Sequence, residues 1–347
     1  MDKLLEMTQK FPTRYWNDSC SLSELDYAIA RGATGATTNP VIVKNVLDNE
    51  LDSYREYILG LIADNPSATE DEISWMVIEK MAQDGAKKLL PVFDTAKGTG
   101  RISIQTNTKN YRCTEKLIEQ TMHFYTLAPN IQVKLPVSAA GIPAIEEVTY
   151  RGVSVNATVC FSVPQSIAVA EAISRGLERR EKEGLDTSEM NPVCTIMIGR
   201  VDDHIRAVVE KENISIDPNA LNYAGIACAK KAYKIYKERN YPLRILLAAY
   251  RHPLHWADFI GADMIMTIPC SYQKRFNTSD IEVVERMQNE VDPFFIEELL
   301  KLPDFVKAYE HMEVEEFDSF GPEVATLNQF LSGYDDLVKI IRKLMVK

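Results

Sequence analysis

Short apolar runs recur along the chain, each followed by polar residues and then by apolar residues at helical spacing. Eight such runs stand out, at about 14–18, 35–40, 101–106, 131–136, 153–161, 193–200, 244–250 and 262–269. Most are rich in Val, Ile, Thr or Leu, the composition of parallel strands buried on both faces. Helical patterns fill the gaps. Ser21-x-x-Glu24 reads as a capping box before Leu22, Leu25 and Ile29, with Gly32 as a stop. Further helices are predicted over 111–128, 164–180 and 221–239. Strands alternating with helices imply parallel pairing through right-handed crossovers, and eight units close into a (β/α)8 barrel. The runner-up is a doubly wound open sheet, but no G-x-G-x-x-G turn follows the first strand. Segment 41–100 reads as extra helices inserted after the second strand, and 178–191 as a charged loop or helix extension. Residues beyond about 280 read as a helical tail. One barrel domain is expected over 1–347, with its core at about 13–275 and a helical extension at 276–347.

Alternation along strands separates residues facing the helices from those facing the lumen. In the fourth run Ile131, Val133 and Leu135 share one parity, which leaves Lys134 pointing inward. A lysine there is costly unless it has a purpose. In the fifth run Val153, Val155, Ala157 and Val159 face outward, and Asn156 and Thr158 inward. The third run places Ser103 and Gln105 inward. The first ends in Asp18, and the second in Thr37-Thr38-Asn39-Pro40. The sixth holds Thr195 and ends in Arg200, and Arg251 follows the seventh. Polar groups from at least six strands thus converge on the lumen, several near the C-terminal mouth where barrel enzymes carry their active sites. Taken singly, each has a plain structural explanation. A lumen Thr or Asn is commonly a satisfied core group, a strand-end arginine a surface ion pair, and a buried lysine opposite an aspartate a structural salt bridge. Their agreement across strands argues for a site.

The chain has 347 residues, 46% hydrophobic and 26% charged, with a formal net charge of −11. That balance argues against nucleic acid as a partner, and no run is long enough to span a bilayer. Its six cysteines form no CxxC pair and read as reduced thiols, which with the absence of a secretory apolar core points to the cytoplasm. His252 and His255, with Asp258, have helix spacing that could ligate a metal. They read more readily as the start of the helix after strand seven, and no metal site is expected.

Three stretches carry a resemblance. Gly35-Ala-Thr-Thr-Asn-Pro40, Val133-Lys-Leu-Pro136 and Asn156-Ala-Thr-Val-Cys-Phe-Ser162 resemble the transaldolase family, with Ile198-Gly199-Arg200 and Ala249-Tyr250-Arg251 in the expected order. The resemblance covers about 13–275. It implies a class I aldolase barrel that needs no metal or organic cofactor and acts on sugar phosphates. Lys134 is similar to the family's Schiff-base lysine, and Asp18 to the base that takes the proton of the C4 hydroxyl. Asn39 and Asn156 resemble the groups holding the dihydroxyacetone hydroxyls. Thr37 belongs to the same constellation, and Thr158 resembles a binder of the catalytic water. Arg200 and Arg251 resemble the phosphate clamp.

Four positions depart from the family pattern. Gln105 stands where transaldolases commonly carry a glutamate, as it does in fructose-6-phosphate aldolases. An amide can hold a water but cannot exchange a proton as a carboxylate does. Thr195 replaces a serine and keeps the hydroxyl, Met197 replaces an aromatic residue, and Ala249 replaces a serine beside the anion-binding arginine. The resemblance implies transfer of a dihydroxyacetone unit between sugar phosphates, of the sedoheptulose 7-phosphate and glyceraldehyde 3-phosphate type in the pentose phosphate pathway. The alternatives are an aldolase that releases dihydroxyacetone, suggested by Gln105, and a variant for a sulfonated sugar, suggested by Ala249. A sugar-binding barrel without catalysis is the alternative from another class. Homo-oligomerisation is left open.

Overall fold

The computed structural model describes residues 2–346. Its eight strands are β1 Arg14–Asn17, β2 Gly35–Thr37, β3 Arg101–Gln105, β4 Ile131–Pro136, β5 Val155–Cys160, β6 Val193–Met197, β7 Arg244–Ala248 and β8 Ile265–Ile268. They pair in parallel in chain order and close through β1 against β8. The helices are α1 Lys3–Lys10, α2 Leu22–Ile29, α3 Pro40–Asp64, α4 Glu70–Leu89, α5 Thr114–Tyr125, α6 Gly141–Tyr150 and α7 Val163–Lys182. They continue with α8 Ile198–Glu212, α9 Ala224–Glu238, α10 Leu254–Ala257, α11 Cys270–Asn277, α12 Pro293–Leu299, α13 Pro303–Tyr309 and α14 Gly321–Met345. The architecture is a (β/α)8 barrel. Helices α1, α6, α8 and α11 have no individually predicted counterpart in the sequence reading. No described helix is long and apolar enough to cross a membrane.

The outward parity behaves as its composition dictates. Ile102, Ile104, Ile131, Val133 and Leu135 are fully buried beneath the helices, and each such side chain contributes about 1.5–3 kcal/mol. Gly85 of α4 lets that helix settle on Ile102, because a Cβ there would stand 2.5 Å from Ile102 Cδ1. Several strand-to-helix turns at the C-terminal mouth are fixed by capping side chains. Asn39 Oδ1 accepts from Ile42 N–H at the start of α3, and Ser162 Oγ accepts from Gln165 N–H at the start of α7. The expected box at Ser21 is only half made. Ser21 Oγ accepts from Glu24 N–H but donates to Glu50. The complete box caps α4 instead, at Thr69 and Glu72.

Several expected bounds shift. Helix α5 starts at Thr114 rather than 111, after a 3-10 turn at Thr108–Asn110. The sixth run does not reach Arg200 as strand, for β6 ends at Met197 and Arg200 lies in the first turn of α8. In the fifth run strict alternation fails. The β5–β6 register shifts between Ala157 and Cys160, and Val159 takes φ +60°, a strained conformation for a β-branched residue. Val159 therefore does not join the helix-facing row but borders a small cavity at the barrel mouth.

The tail does not trail away from the barrel. Helix α14 runs back over α3 and α4, where Tyr334 donates to Asp71 Oδ1 at 2.6 Å and Arg342 pairs with Glu70. Its buried stripe of Thr326, Phe330, Tyr334, Leu337 and Ile341 has helical spacing. The N-terminal turns of the helix reach the C-terminal mouth of the barrel, where Leu327 and Phe330 line one small cavity with Gln105 and Thr158.

Candidate active site

Strand register sets the site. Gln105 of β3 lies beside Lys134 of β4, which lies beside Asn156 of β5. One tier towards the N-terminal end, Thr37 lies beside Ser103 and Ser103 beside Gln132. A chain of hydrogen bonds links the tiers. Thr195 Oγ1 donates to Asn156 Oδ1 at 2.6 Å, Asn156 Nδ2 donates to Ser103 Oγ at 3.0 Å, and Ser103 Oγ donates to Gln132 Oε1 at 3.1 Å. The amide of Asn156 is thereby oriented from both ends, with its nitrogen's second hydrogen left for other use. On the other side Thr37 Oγ1 donates to Asp18 Oδ1 at 2.6 Å and lies 2.5 Å from Thr267 Oγ1.

Lys134 is 5% exposed. Among the described residues it has no carboxylate within the 4.0 Å of an ion pair, so the simple buried salt bridge is not formed. Burial brings its pKa down to about 8, against the opposing charge of Asp18. Burial also raises Asp18 above the usual carboxylate range, while Lys134 and the Thr37 hydrogen bond pull it back. Burial thus pushes both groups towards their neutral forms while the charge of each opposes the shift of the other, and an amine near 8 has a neutral fraction available to attack a carbonyl. A cleft of about 580 Å³ opens beside Asp18, lined also by Glu24, Asn45, Asn49 and Lys274. That volume suits a small ligand.

Two guanidiniums stand at the mouth. Burial lowers the pKa of Arg200, and the charge of Arg251 lowers it further, so the two lie close enough to repel. Arg200 Nη2 donates to Gln329 Oε1 of α14. Its Nε is buried without a partner among the described residues. Arg251 grips Asp203 through Nε (3.0 and 3.1 Å) and Nη2 (2.6 Å), and donates Nη1 to Tyr250 O. Met197, at the start of α8, supplies no capping side chain, so the positive end of that helix adds to the same field. Gly199 lets the two loops meet. A Cβ there would stand 1.9 Å from Ala249 O, and Ala249 itself takes φ +66°.

The histidines sit differently from the metal arrangement their spacing allowed. Asp202, not Asp258, completes a triplet with His252 and His255. His255 Nδ1 accepts from Arg251 N–H at 3.2 Å, so its proton resides on Nε2, 2.8 Å from Asp202 Oδ2. A nitrogen bearing hydrogen cannot ligate, and the triplet as arranged is a hydrogen-bonded support for the Arg251 backbone. Burial pushes the Asp202 carboxyl up, but the bonds from His252 and His255 outweigh it and hold it at about 2.

Lys134, Asp18, Gln105, Thr158, Thr37, Asn156 and Thr195 thus meet in or over the lumen. Arg200 and Arg251 stand together at its edge. Asn39 differs in that its amide oxygen is engaged in capping α3. The sequence reading missed Gln329 and Glu323 of α14 and Asp202 of α8. Glu323 left one signal, a carboxylate in line with the apolar stripe of a helix.

The family model for transaldolase/fructose-6-phosphate aldolase matches residues 15–328. A Transaldolase 2 of Streptomyces avermitilis is 33% identical over 206 residues, covering 58% of this chain and 55% of that protein. A Transaldolase of Mycolicibacterium smegmatis is 31% identical over 211 residues, covering 60% and 56%. A Transaldolase of Mycobacterium tuberculosis is 30% identical over 236 residues, covering 65% and 62%. The matched stretch spans little more than half the length of these relatives. The chain belongs to the transaldolase/fructose-6-phosphate aldolase family.

Proposed function

We propose that the protein is a transaldolase, moving a dihydroxyacetone unit between sugar phosphates through a Schiff base on Lys134. The observation that carries this reading is a lysine 5% exposed, brought down to about 8 by burial, with Asp18 across the lumen. Lys134 Nζ adds to the ketose carbonyl, and loss of water leaves an iminium. Asp18 takes the proton of the C4 hydroxyl, the C3–C4 bond breaks, and the iminium accepts the electron pair as an enamine. Attack of the enamine on an acceptor aldehyde, followed by hydrolysis, completes the transfer. Asn156, held by Thr195 and Ser103, is placed to orient the dihydroxyacetone hydroxyls, and Thr158 to hold water. The six free cysteines, five of them buried, suit a cytoplasmic location.

The Arg200 and Arg251 pair serves as the anion clamp in this reading, since guanidinium forks match phosphate oxygens. An incoming phosphate competes with Asp203 for Arg251 and with Gln329 for Arg200. Arg200→Ala or Arg251→Ala is expected to raise KM for phosphorylated ketoses about 10–100-fold, the loss of roughly 1.5–3 kcal/mol of charged hydrogen bonding. KM for unphosphorylated ketoses should stay within about threefold. Parallel kinetics on both substrate types check this, and equal losses on both would remove the arginines from anion binding.

Gln105 favours a second reading, in which dihydroxyacetone is released rather than transferred. Incubation with fructose 6-phosphate and borohydride, followed by peptide mass spectrometry, is expected to place a reduced adduct on Lys134. Product analysis with and without an acceptor aldehyde then separates the readings. Glyceraldehyde 3-phosphate with little free dihydroxyacetone, and turnover that depends on acceptor, support transfer. Stoichiometric dihydroxyacetone without acceptor supports release. No adduct with phosphorylated, sulfonated or unphosphorylated ketoses would sink both.

A further inference from the structure

Glu323, the third residue of α14, is 4% exposed, yet no cation lies within ion-pair distance of it among the described residues. Gln165 Nε2 donates to its Oε2 at 3.4 Å. Gln165 is fixed in turn, because its Oε1 accepts from Phe161 N–H at 3.0 Å and from Ser162 Oγ at 3.1 Å. Burial without a counter-charge, with Asp318 adding to it, raises the Glu323 carboxyl well above the ordinary range. Such a group favours its protonated form. A buried acid of this kind is costly to a purely structural helix end.

Glu323 borders a cavity of about 20 Å³ together with Gln105, Thr108, Thr158, Val159 and Phe330. That space admits a single water. Gln105 Oε1 is buried and has no partner among the described residues, while its Nε2 makes only a long 3.4 Å contact with Thr108 Oγ1. The cavity therefore joins an acid, an acceptor lacking a donor and a hydroxyl, and Gln105 on its wall is the register partner of Lys134. The expectation from sequence was that Gln105 can hold a water but not exchange its proton. The carboxyl missing from β3 is present on α14.

We propose that Glu323 is the proton donor and acceptor for Schiff-base formation and hydrolysis at Lys134, acting through a water held by Gln105 and Thr158. This rests on the aldolase reading above. Lys134 Nζ bonds to the ketone carbon and gives a neutral carbinolamine. Glu323 passes its proton through the held water to the carbinolamine oxygen. The C–O bond breaks, water departs, and the nitrogen lone pair closes the C=N bond. Glu323 is left as carboxylate. In hydrolysis it takes a proton from the water that adds to the iminium carbon, which restores the acid.

The test is the single-turnover rate of borohydride-trappable adduct on Lys134, followed with fructose 6-phosphate or whichever ketose labels the wild type. Glu323→Gln keeps the shape and is expected to slow that rate about 10²-fold. Adding Gln105→Glu to the same chain is expected to recover at least about tenfold, because it returns an exchangeable proton to the cavity. A folded Glu323→Gln protein within about threefold of wild type overturns the proposal, and so does failure of Gln105→Glu to restore any rate. Should Glu323→Gln melt before assay, the pH profile of trapping decides. The rate must then fall as pH rises through the titration of an acid, and Gln105→Glu must move that limb; an unmoved limb overturns the assignment. No adduct on wild-type Lys134 with any ketose class overturns the aldolase reading and this proposal together. Adduct in wild type with an undiminished rate in Glu323→Gln overturns the Glu323 assignment alone.

Discussion

Lys134→Met is expected to form no borohydride-stable adduct and to lose more than about 10⁴-fold of turnover, the scale on which removal of a covalent nucleophile acts. The same change is expected to stabilise the fold. In the unfolded chain a lysine titrates near 10.5, and in this barrel near 8. Between those values the unfolded chain holds more protons than the native one, so stability rises with pH across that window. Below pH 8 this linkage costs about 3 kcal/mol, and above 10.5 the pH-dependent cost is gone. Methionine fills similar space without charge. Lys134→Met should therefore melt several degrees higher than wild type at pH 7, with the gap closing towards pH 10. A gap that stays constant would mean that burial is not what lowers this amine. A stabilising substitution that ends activity is what a site kept at the expense of stability should give.

The barrel was legible because its strands are buried on both faces, so Val, Ile and Leu crowd into short runs that a solvated sheet would not tolerate. Lys134 was legible for the same reason, as one charge among Ile131, Val133 and Leu135. Strict alternation breaks down where backbone geometry departs from a regular strand. Alternation put Val159 among the helix-facing residues, but the register shift near it turns the chain and brings it to the cavity. The run from Val193 to Ile198 is apolar but for Thr195 and so reads on into Arg200 as strand, and periodicity cannot show where such a run coils into a helix. The contributions of α14 were barely legible, with Glu323 in line with an apolar stripe as their one trace. Glu323 shares a cavity with Gln105 from across more than half the chain, through a helix whose landing place sequence does not show. The Gln165 contact, the Gln329 contact and the Phe330 lining are all consequences of that landing.

Asp18→Asn separates the bond-breaking step from the bond to lysine. The asparagine oxygen can still accept from Thr37, so the lumen network should persist, but the amide cannot take the C4 hydroxyl proton. Carbon–carbon cleavage is expected to fall about 10³-fold, within the range for loss of a general base. Adduct formation should survive, because it does not draw on Asp18: it needs an unprotonated Lys134, substrate within reach and the proton assigned above to Glu323. Asp18 is the charge that holds the Lys134 pKa up against burial, so its removal lowers that pKa further and moves the pH at which adduct forms to the acid side. Borohydride trapping with fructose 6-phosphate should then give the mass of the whole ketose phosphate on Lys134, where wild type gives dihydroxyacetone. If the variant instead accumulates the dihydroxyacetone adduct at the wild-type rate, Asp18 is not the base, and its place beside Thr37 and Thr267 is structural. If it forms no adduct of either mass while remaining folded, Asp18 acts earlier, in positioning the carbonyl or in taking the proton from the Lys134 ammonium. The three outcomes assign three different jobs to one carboxylate, and only the first is compatible with an aldol cleavage driven from this side of the lumen.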